Sequence, residues 1–442
     1  MKSLFTLIAI FSLNVLHAQY NWINITSAPY NASKQDGVFF INKDTGWVVN
    51  GSGAIHKTIN GGNSWIQQKN SPGTYFRAIA FVNEQIGFAG NVGTNYFPNV
   101  TDANPLYKTI DGGNSWTQIT SSISGAVPDG ICAIQAVNAN VIYAAGRVGG
   151  PPVIIKTTDG GTTWVGKNLS PQCEMILDIQ FLSKDTGYVF AGTSADITNA
   201  SAIILRTTDG GQNWTAVYTS NRPLEIMWKA WFPSSQVGYA TIQSYNSNTT
   251  QRYIVKTTDG GLTWNELPLV NNAIREFGIG FVNDSVGWVG GENTGYQTLN
   301  GGLTWTSVNL GQYVNKFSIV KNRDGSSTAY ALGLRLYKMT TGMSTGLLRI
   351  EQDAKYPLVY PNPAKSGSYI SVSLQNIKSN IIKAELITVD GKTTYPIFNG
   401  YYMGTHESPF MLQLPNIAPG NYLIQFTDDS GSLFSQKLMI TK

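Results

Sequence analysis

KTINGGNSW (57–65), KTIDGGNSW (108–116), KTTDGGTTW (156–164), RTTDGGQNW (206–214), KTTDGGLTW (256–264) and QTLNGGLTW (297–305) are six spellings of one phrase. The closing tryptophans, Trp65, Trp116, Trp164, Trp214, Trp264 and Trp305, are separated by 51, 48, 50, 50 and 41 residues. Self-similarity at a period of about 40–50 residues is the mark of a propeller or another repeat array. A second signature lies upstream of each phrase: an apolar run, a polar turn, then Gly with an aromatic residue. It reads VFFINKDTGW (38–47), IAFVNEQIGF (79–88), IQFLSKDTGY (179–188) and IGFVNDSVGW (279–288), with weaker copies ending at Tyr143, Tyr239 and Tyr330.

That makes seven upstream signatures for six tryptophan phrases. The seventh unit runs to LYKMTTG (336–342) and loses its tryptophan. NWINITS (21–27) resembles the segments that follow other boxes, such as SWTQITS at Trp116. Trp22 is therefore expected to begin the outer strand of the seventh blade. Closure of the ring by the two chain ends removes exposed sheet edges. Each unit reads as four short strands, since β-branched and aromatic runs alternate between Gly, Asn, Asp and Ser turns. The expected fold is all-β: a seven-bladed β-propeller closed by an N-terminal strand, followed by a small C-terminal β-sandwich.

The phrase resembles the Asp-box, or BNR repeat, S/T-x-D-x-G-x-T/S-W. That repeat is found in sialidases, sortilin-type receptors, xyloglucanases and photosystem II assembly factors, which share the box but not a chemistry. Fold therefore does not carry function. Asp111, Asp159, Asp209 and Asp259 fill the Asp slot, and Asn60 and Asn300 fill it twice. An Asp or Asn in a turn accepts hydrogen bonds from nearby backbone N–H groups. Asn cannot serve as general acid or nucleophile, so the box carboxylates read as structural. The tryptophan is expected to pack between blades.

The 442 residues leave room for a second domain. The net charge is +4, charged residues make up 13%, and there is no basic cluster, which argues against nucleic-acid binding. Lys2, an apolar core from Leu4 to Leu16 and Ala18 read as a secretory signal over 1–18, cleaved before Gln19. No later run approaches the ~20 apolar residues of a membrane helix. Cys132 and Cys173 lie in neighbouring units, and export permits either a disulfide or two buried thiols. With His17, His56 and His406 the only histidines, neither a metal site nor a cofactor is expected.

The repeat stops after Gly342. The expected domains are a propeller over 19–345, a linker over 346–355 and a tail over 356–442. The tail carries Tyr360-Pro361-Asn362-Pro363, a VDGK hairpin signal (389–392), an Ala418-Pro419-Gly420-Asn421-Tyr422 turn and a basic, apolar end at Lys437–Lys442. It resembles the type A C-terminal sorting domain of the type IX secretion system of Bacteroidota. That resemblance implies a β-sandwich read by an outer-membrane translocon, with the passenger released or fixed to the cell surface. A sugar-binding sandwich is the alternative.

Propeller ligands are expected on the face opposite the box turns. The interval from the Gly-aromatic pair to the box is 20, 18 and 17 residues in units 2, 4 and 5, against 10, 13, 9 and 8 in units 1, 3, 6 and 7. The longer loops carry Tyr96, Asp102, Asp196, Tyr245 and Arg252. Arg77, Asp178, Trp228, Lys229, Arg275 and Glu276 are expected near the channel mouth. A sialidase needs an arginine cluster, yet only Arg77, Arg147, Arg222, Arg252 and Arg275 are placed for it, and the Arg-Ile-Pro motif is missing. Two readings remain. One is a non-catalytic scaffold for a protein or glycan, the mode that resemblance to the photosystem II assembly factors implies. The other is a glycoside hydrolase using Asp178 and Glu276 as its carboxylate pair.

Overall fold

The computed structural model describes residues 20–442 apart from 33–34, 95–96, 120–121, 323, 342–357, 374–380, 403–409 and 429–432. The expected signal segment, the linker and Tyr96 lie outside the described residues. The chain divides into two compact units, Met1–Thr345 and Gly346–Lys442.

Among the described residues, the first unit holds seven sheets. Blade 1 is an antiparallel meander of Gly37–Phe40, Gly46–Val49, Ala54–Thr58 and Ile66–Asn70. Blades 2 to 6 repeat this plan over 76–118, 133–168, 175–219, 225–271 and 276–308. Blade 7 takes three strands from 316–340 and its fourth from Ile23–Asn24, which pairs antiparallel with Leu336–Thr340 and sets Ile23 opposite Lys338. The first strand of every blade packs against the first strands of both neighbours, and Lys316–Lys321 meets Gly37–Phe40 to complete the circle.

Blade 3 departs from the four-strand plan. Ile123–Gly125, in the connector from blade 2, adds a fifth strand parallel to Trp164–Asn168. Gly166 permits this, because a Cβ there would lie 1.8 Å from the Ala126 carbonyl oxygen.

The box turns have one construction. In blade 2, the Thr109 hydroxyl donates to Asp111 Oδ1 (2.8 Å) and accepts from the Gly113 N–H (2.8 Å), while Ser115 donates to Asp111 through both its N–H (2.9 Å) and its hydroxyl (2.6 Å). Gly112 and Gly113 sit at φ of 71° and 95°, where L side chains are strained. Asn60 makes the same turn with one proton reversed: Ser64 N–H donates to its Oδ1 (2.9 Å), and its Nδ2 donates to Ser64 Oγ (2.8 Å). A serine or threonine hydroxyl donates or accepts, so Asp and Asn are interchangeable here.

The core between blades is aromatic. Tyr143 of blade 3 stacks on Phe181 of blade 4 at 3.6 Å, and Trp214 meets the Phe181 edge at 6.3 Å. The same trio joins Trp47, Phe81 and Trp116, then Tyr239, Phe281 and Trp305, and closes the ring with Tyr330, Phe40 and Trp65. Blade 7 has no box tryptophan, and Trp22 stands edge-on to Trp288 (5.3 Å) and Phe317 (5.9 Å). Each aromatic pair adds about 0.5–1.5 kcal/mol beyond area burial.

The second unit is a sandwich of two sheets among the described residues. One orders Leu358–Tyr360, Tyr369–Ser373 and Phe410–Gln413; the other orders Ala364–Lys365, Leu433–Thr441, Gly420–Asp428, Ile381–Thr388 and Thr394–Tyr402. Ile370, Leu386, Ile424, Phe426 and Leu438 form its buried core. The Asp-Gly signal at 389–392 does not give a two-residue hairpin. Residues 389–393 connect the strands, because the Thr388 hydroxyl donates to Asp390 and accepts from the Thr393 N–H.

Candidate functional site

Each blade's second strand reverses the first and its third reverses the second. The box turns follow the third strand, so they share an end with the close of the first strand. The starts of the first strands and the loops between second and third strands share the opposite end. Arg275, Tyr245, Asp102 and Asp196 all lie at that opposite end.

Four expected residues come together toward the ring centre. Asp178, in Met175–Phe181, is 2% exposed. Its Oδ2 accepts from the Ala230 N–H at 3.0 Å, and its Oδ1 lies 3.9 Å from Lys229 Nζ and 3.6 Å from Lys316 Nζ. Lys229 also donates to the Leu177 carbonyl (3.0 Å). Burial pulls the Lys229 ammonium down to about 8 against the opposing pull of Asp178. The Arg77 guanidinium lies 4.9 Å from the centre of the Trp228 ring, whose Nε1 donates to Asn315 Oδ1 (2.6 Å). Asn315 donates in turn to Asp36, and Asp36 accepts from the Tyr75 hydroxyl (2.6 Å).

The sequence reading missed Asp36, Tyr75, Asn315 and Lys316. Asp36, Tyr75 and Asn315 immediately precede the first strands of their units and Lys316 opens one, a positional equivalence that a repeat alignment would have exposed.

Other expected residues hold their own loops. Burial raises the Asp102 carboxyl, but hydrogen bonds from Tyr107, Thr74 and Asn104 outweigh that and keep it low. Asp196 caps the short helix Ile197–Asn199. Arg252, buried, donates to the carbonyls of Ile274 (2.7 Å) and Thr249 (2.8 Å). Part of its expected loop is strand, since Gly238–Ser244 and Gln251–Thr257 extend the blade on both sides.

The arginines are spent in the same manner. Arg147 donates to the carbonyls of Val92, Thr94 and Gly150, and Arg222 pairs with Glu225 and Glu266. Arg275 is different. Its side chain is 53% exposed, its Nε lies 3.2 Å from Glu292 Oε1, and its guanidinium lies 5.7 Å from the Tyr245 ring centre. Glu276 begins the first strand of blade 6 opposite Gly291, and its side chain lies outside the described set.

Both cysteines are free and buried, so no disulfide links blades 3 and 4. Among the described residues, no cluster of His, Cys, Asp and Glu is arranged for a metal ion.

In the second unit, Asn362 of the Tyr-Pro-Asn-Pro motif clamps the final strand. Its Nδ2 donates to the Lys437 carbonyl (2.8 Å), and its Oδ1 accepts from the Met439 N–H (2.9 Å). Residues 358–441 match the model of the secretion system C-terminal sorting domain. The tail is a sorting domain. The chain that carries it is handled by type IX secretion and delivered to the cell surface or beyond.

Among curated proteins, none matches the chain. Solved structures do. YCF48 bound to D1 peptide superposes with a TM-score of 0.53 at 15% identity, covering 73% of this chain and 97% of that one. The extracellular domain of BT4673 from B. thetaiotaomicron gives 0.51 at 12%, covering 96% of this chain and 59% of that one. The Niastella koreensis GH74 enzyme gives 0.51 at 15%, covering 95% and 74%. At these identities the likeness establishes the β-propeller fold. Among the described residues, no helix is long and apolar enough to cross a membrane.

Proposed function

We propose that the exported propeller is a non-catalytic scaffold that docks a protein or glycan on the face opposite its box turns. The observation that carries this reading is the state of Asp178. A general acid or nucleophile must reach the substrate and exchange a proton there. Asp178 is enclosed, with one oxygen bound by a backbone N–H and the other facing two lysines. A carboxylate so compensated is a structural anion, and removing it would strand buried positive charge. The carboxylate near the centre of the ring is thus committed to partners within the protein.

What the face presents outward is Arg275 with Glu292 and Tyr245, a charged and aromatic patch suited to a polar partner. The YCF48 neighbour, bound to a peptide, is a precedent for docking by a propeller of this kind. The test is Arg275→Glu in the mature chain, scored for capture of ligands from a panel of glycans and surface proteins. The scaffold reading predicts at least tenfold weaker capture. Unchanged affinity for every captured ligand sinks it.

A further inference from the structure

At five junctions of the ring, a lysine of one blade donates to a box carbonyl of the next: Lys57 to Gly112, Lys108 to Gly160, Lys156 to Gly210, Lys256 to Gly301 and Lys338 to Gly61. Between blades 4 and 5 the Tyr188 hydroxyl donates to Gly260 instead. Blade 7 has no box of the common form. At the matching position of blade 6 the lysine is replaced by Gln297, whose Oε1 accepts from Trp288 Nε1 (3.0 Å) within its own blade. Among the described residues, a cleft of about 850 Å³ lies at this junction between the blade 6 box and the segment Tyr20–Trp22.

We infer that this cleft is a second binding site, separate from the opposite face, and that its ligand is a neutral saccharide. The lining decides the class. All its lining side chains are uncharged, so none of them pairs with a phosphate or carboxylate ligand. Asn21 and Asn309 offer amides that both donate and accept, and Gln297, whose oxygen already accepts from Trp288, adds an amide NH2 donor, which suits alternating sugar hydroxyls. Tyr20 and Trp22 supply aromatic surface for sugar C–H faces. Both rings are held edge-on against Trp288, at 5.4 and 5.3 Å, so the aromatic wall is positioned before a ligand arrives. The volume lies in the ordinary range of ligand pockets, ~300–1,000 Å³.

The experiment is calorimetric titration of the full mature chain with cellohexaose, laminarihexaose and mannohexaose, and with hexagalacturonate as the charged comparison. Thr306 and Asn309 line the cleft at exposed positions, so Thr306→Arg and Asn309→Ala leave the fold intact. At least one neutral hexasaccharide is expected to bind, at least tenfold more weakly to Thr306→Arg, and with unchanged affinity to Arg275→Glu. The inference is overturned if none of the three binds, if Thr306→Arg stays within twofold of the parent, or if hexagalacturonate binds equally well.

Discussion

Lys338 Nζ donates to the carbonyl oxygen of Gly61 across 3.1 Å, tying the last blade to the first. The same ammonium stands 5.4 Å from the centre of the Tyr330 ring, and burial lowers its pKa. Lys338→Met keeps the stem and removes the charge, leaving the Gly61 carbonyl short of a donor. A loss of about 1–2 kcal/mol is expected. Thermal melts against Lys43→Met provide the control, because the exposed Lys43–Asp44 pair should move stability by under ~0.5 kcal/mol. Equal melting temperatures would remove the latch from the account.

The box aspartates predict acid sensitivity. Hydrogen bonds from Ser115 hold the Asp111 carboxyl down at about 2, and Thr263 does the same for Asp259. A carboxyl depressed in the folded state binds fewer protons than its unfolded counterpart. Its contribution is therefore complete above the unfolded value near 4 and is lost as pH falls through 2. Melting temperature should fall over that window, and Asp259→Asn should flatten the fall while remaining well folded at pH 7, as Asn60 and Asn300 already do. Asp259→Ala should melt lower than Asp259→Asn at pH 7.

Trp22 performs in blade 7 the packing that box tryptophans perform elsewhere. Trp22→Ala should cost about 2–3 kcal/mol, somewhat less than a fully buried ring. Chemical denaturation measures it. A cost below ~0.5 kcal/mol would show that ring closure does not depend on this contact.

Cys132 and Cys173 are separately buried, and burial pushes the Cys173 thiol up to about 12. Neither should react with a thiol reagent in the native protein, and both should react in denaturant. A denatured, unreduced chain with no titratable thiol would contradict the structure.

Much of the fold was legible because repeated turns constrain a chain locally. The Thr-x-Asp-Gly-Gly geometry needs only neighbouring residues, and the orphan NWINITS segment announced the strand at Ile23–Asn24. The lysine that opens four of the six phrases was as plain as the tryptophan that closes all six. Its role stayed hidden because its acceptor sits in the next blade, about 50 residues away. The site was less legible for the same reason. Asp178, Lys229, Arg77 and Trp228 were singled out, but their partners Lys316, Asn315 and Asp36 come from the far ends of the propeller sequence. Nothing local to Asp102 or Arg252 shows that each is committed to bracing its own loop.

The most direct test is binding and product release read from one panel of polysaccharides and surface proteins, using the mature wild-type chain. The account predicts capture of a ligand with no new reducing ends. Release of oligosaccharides, abolished by Asp178→Asn in a variant that still binds, would contradict it and make the enclosed carboxylate catalytic after all.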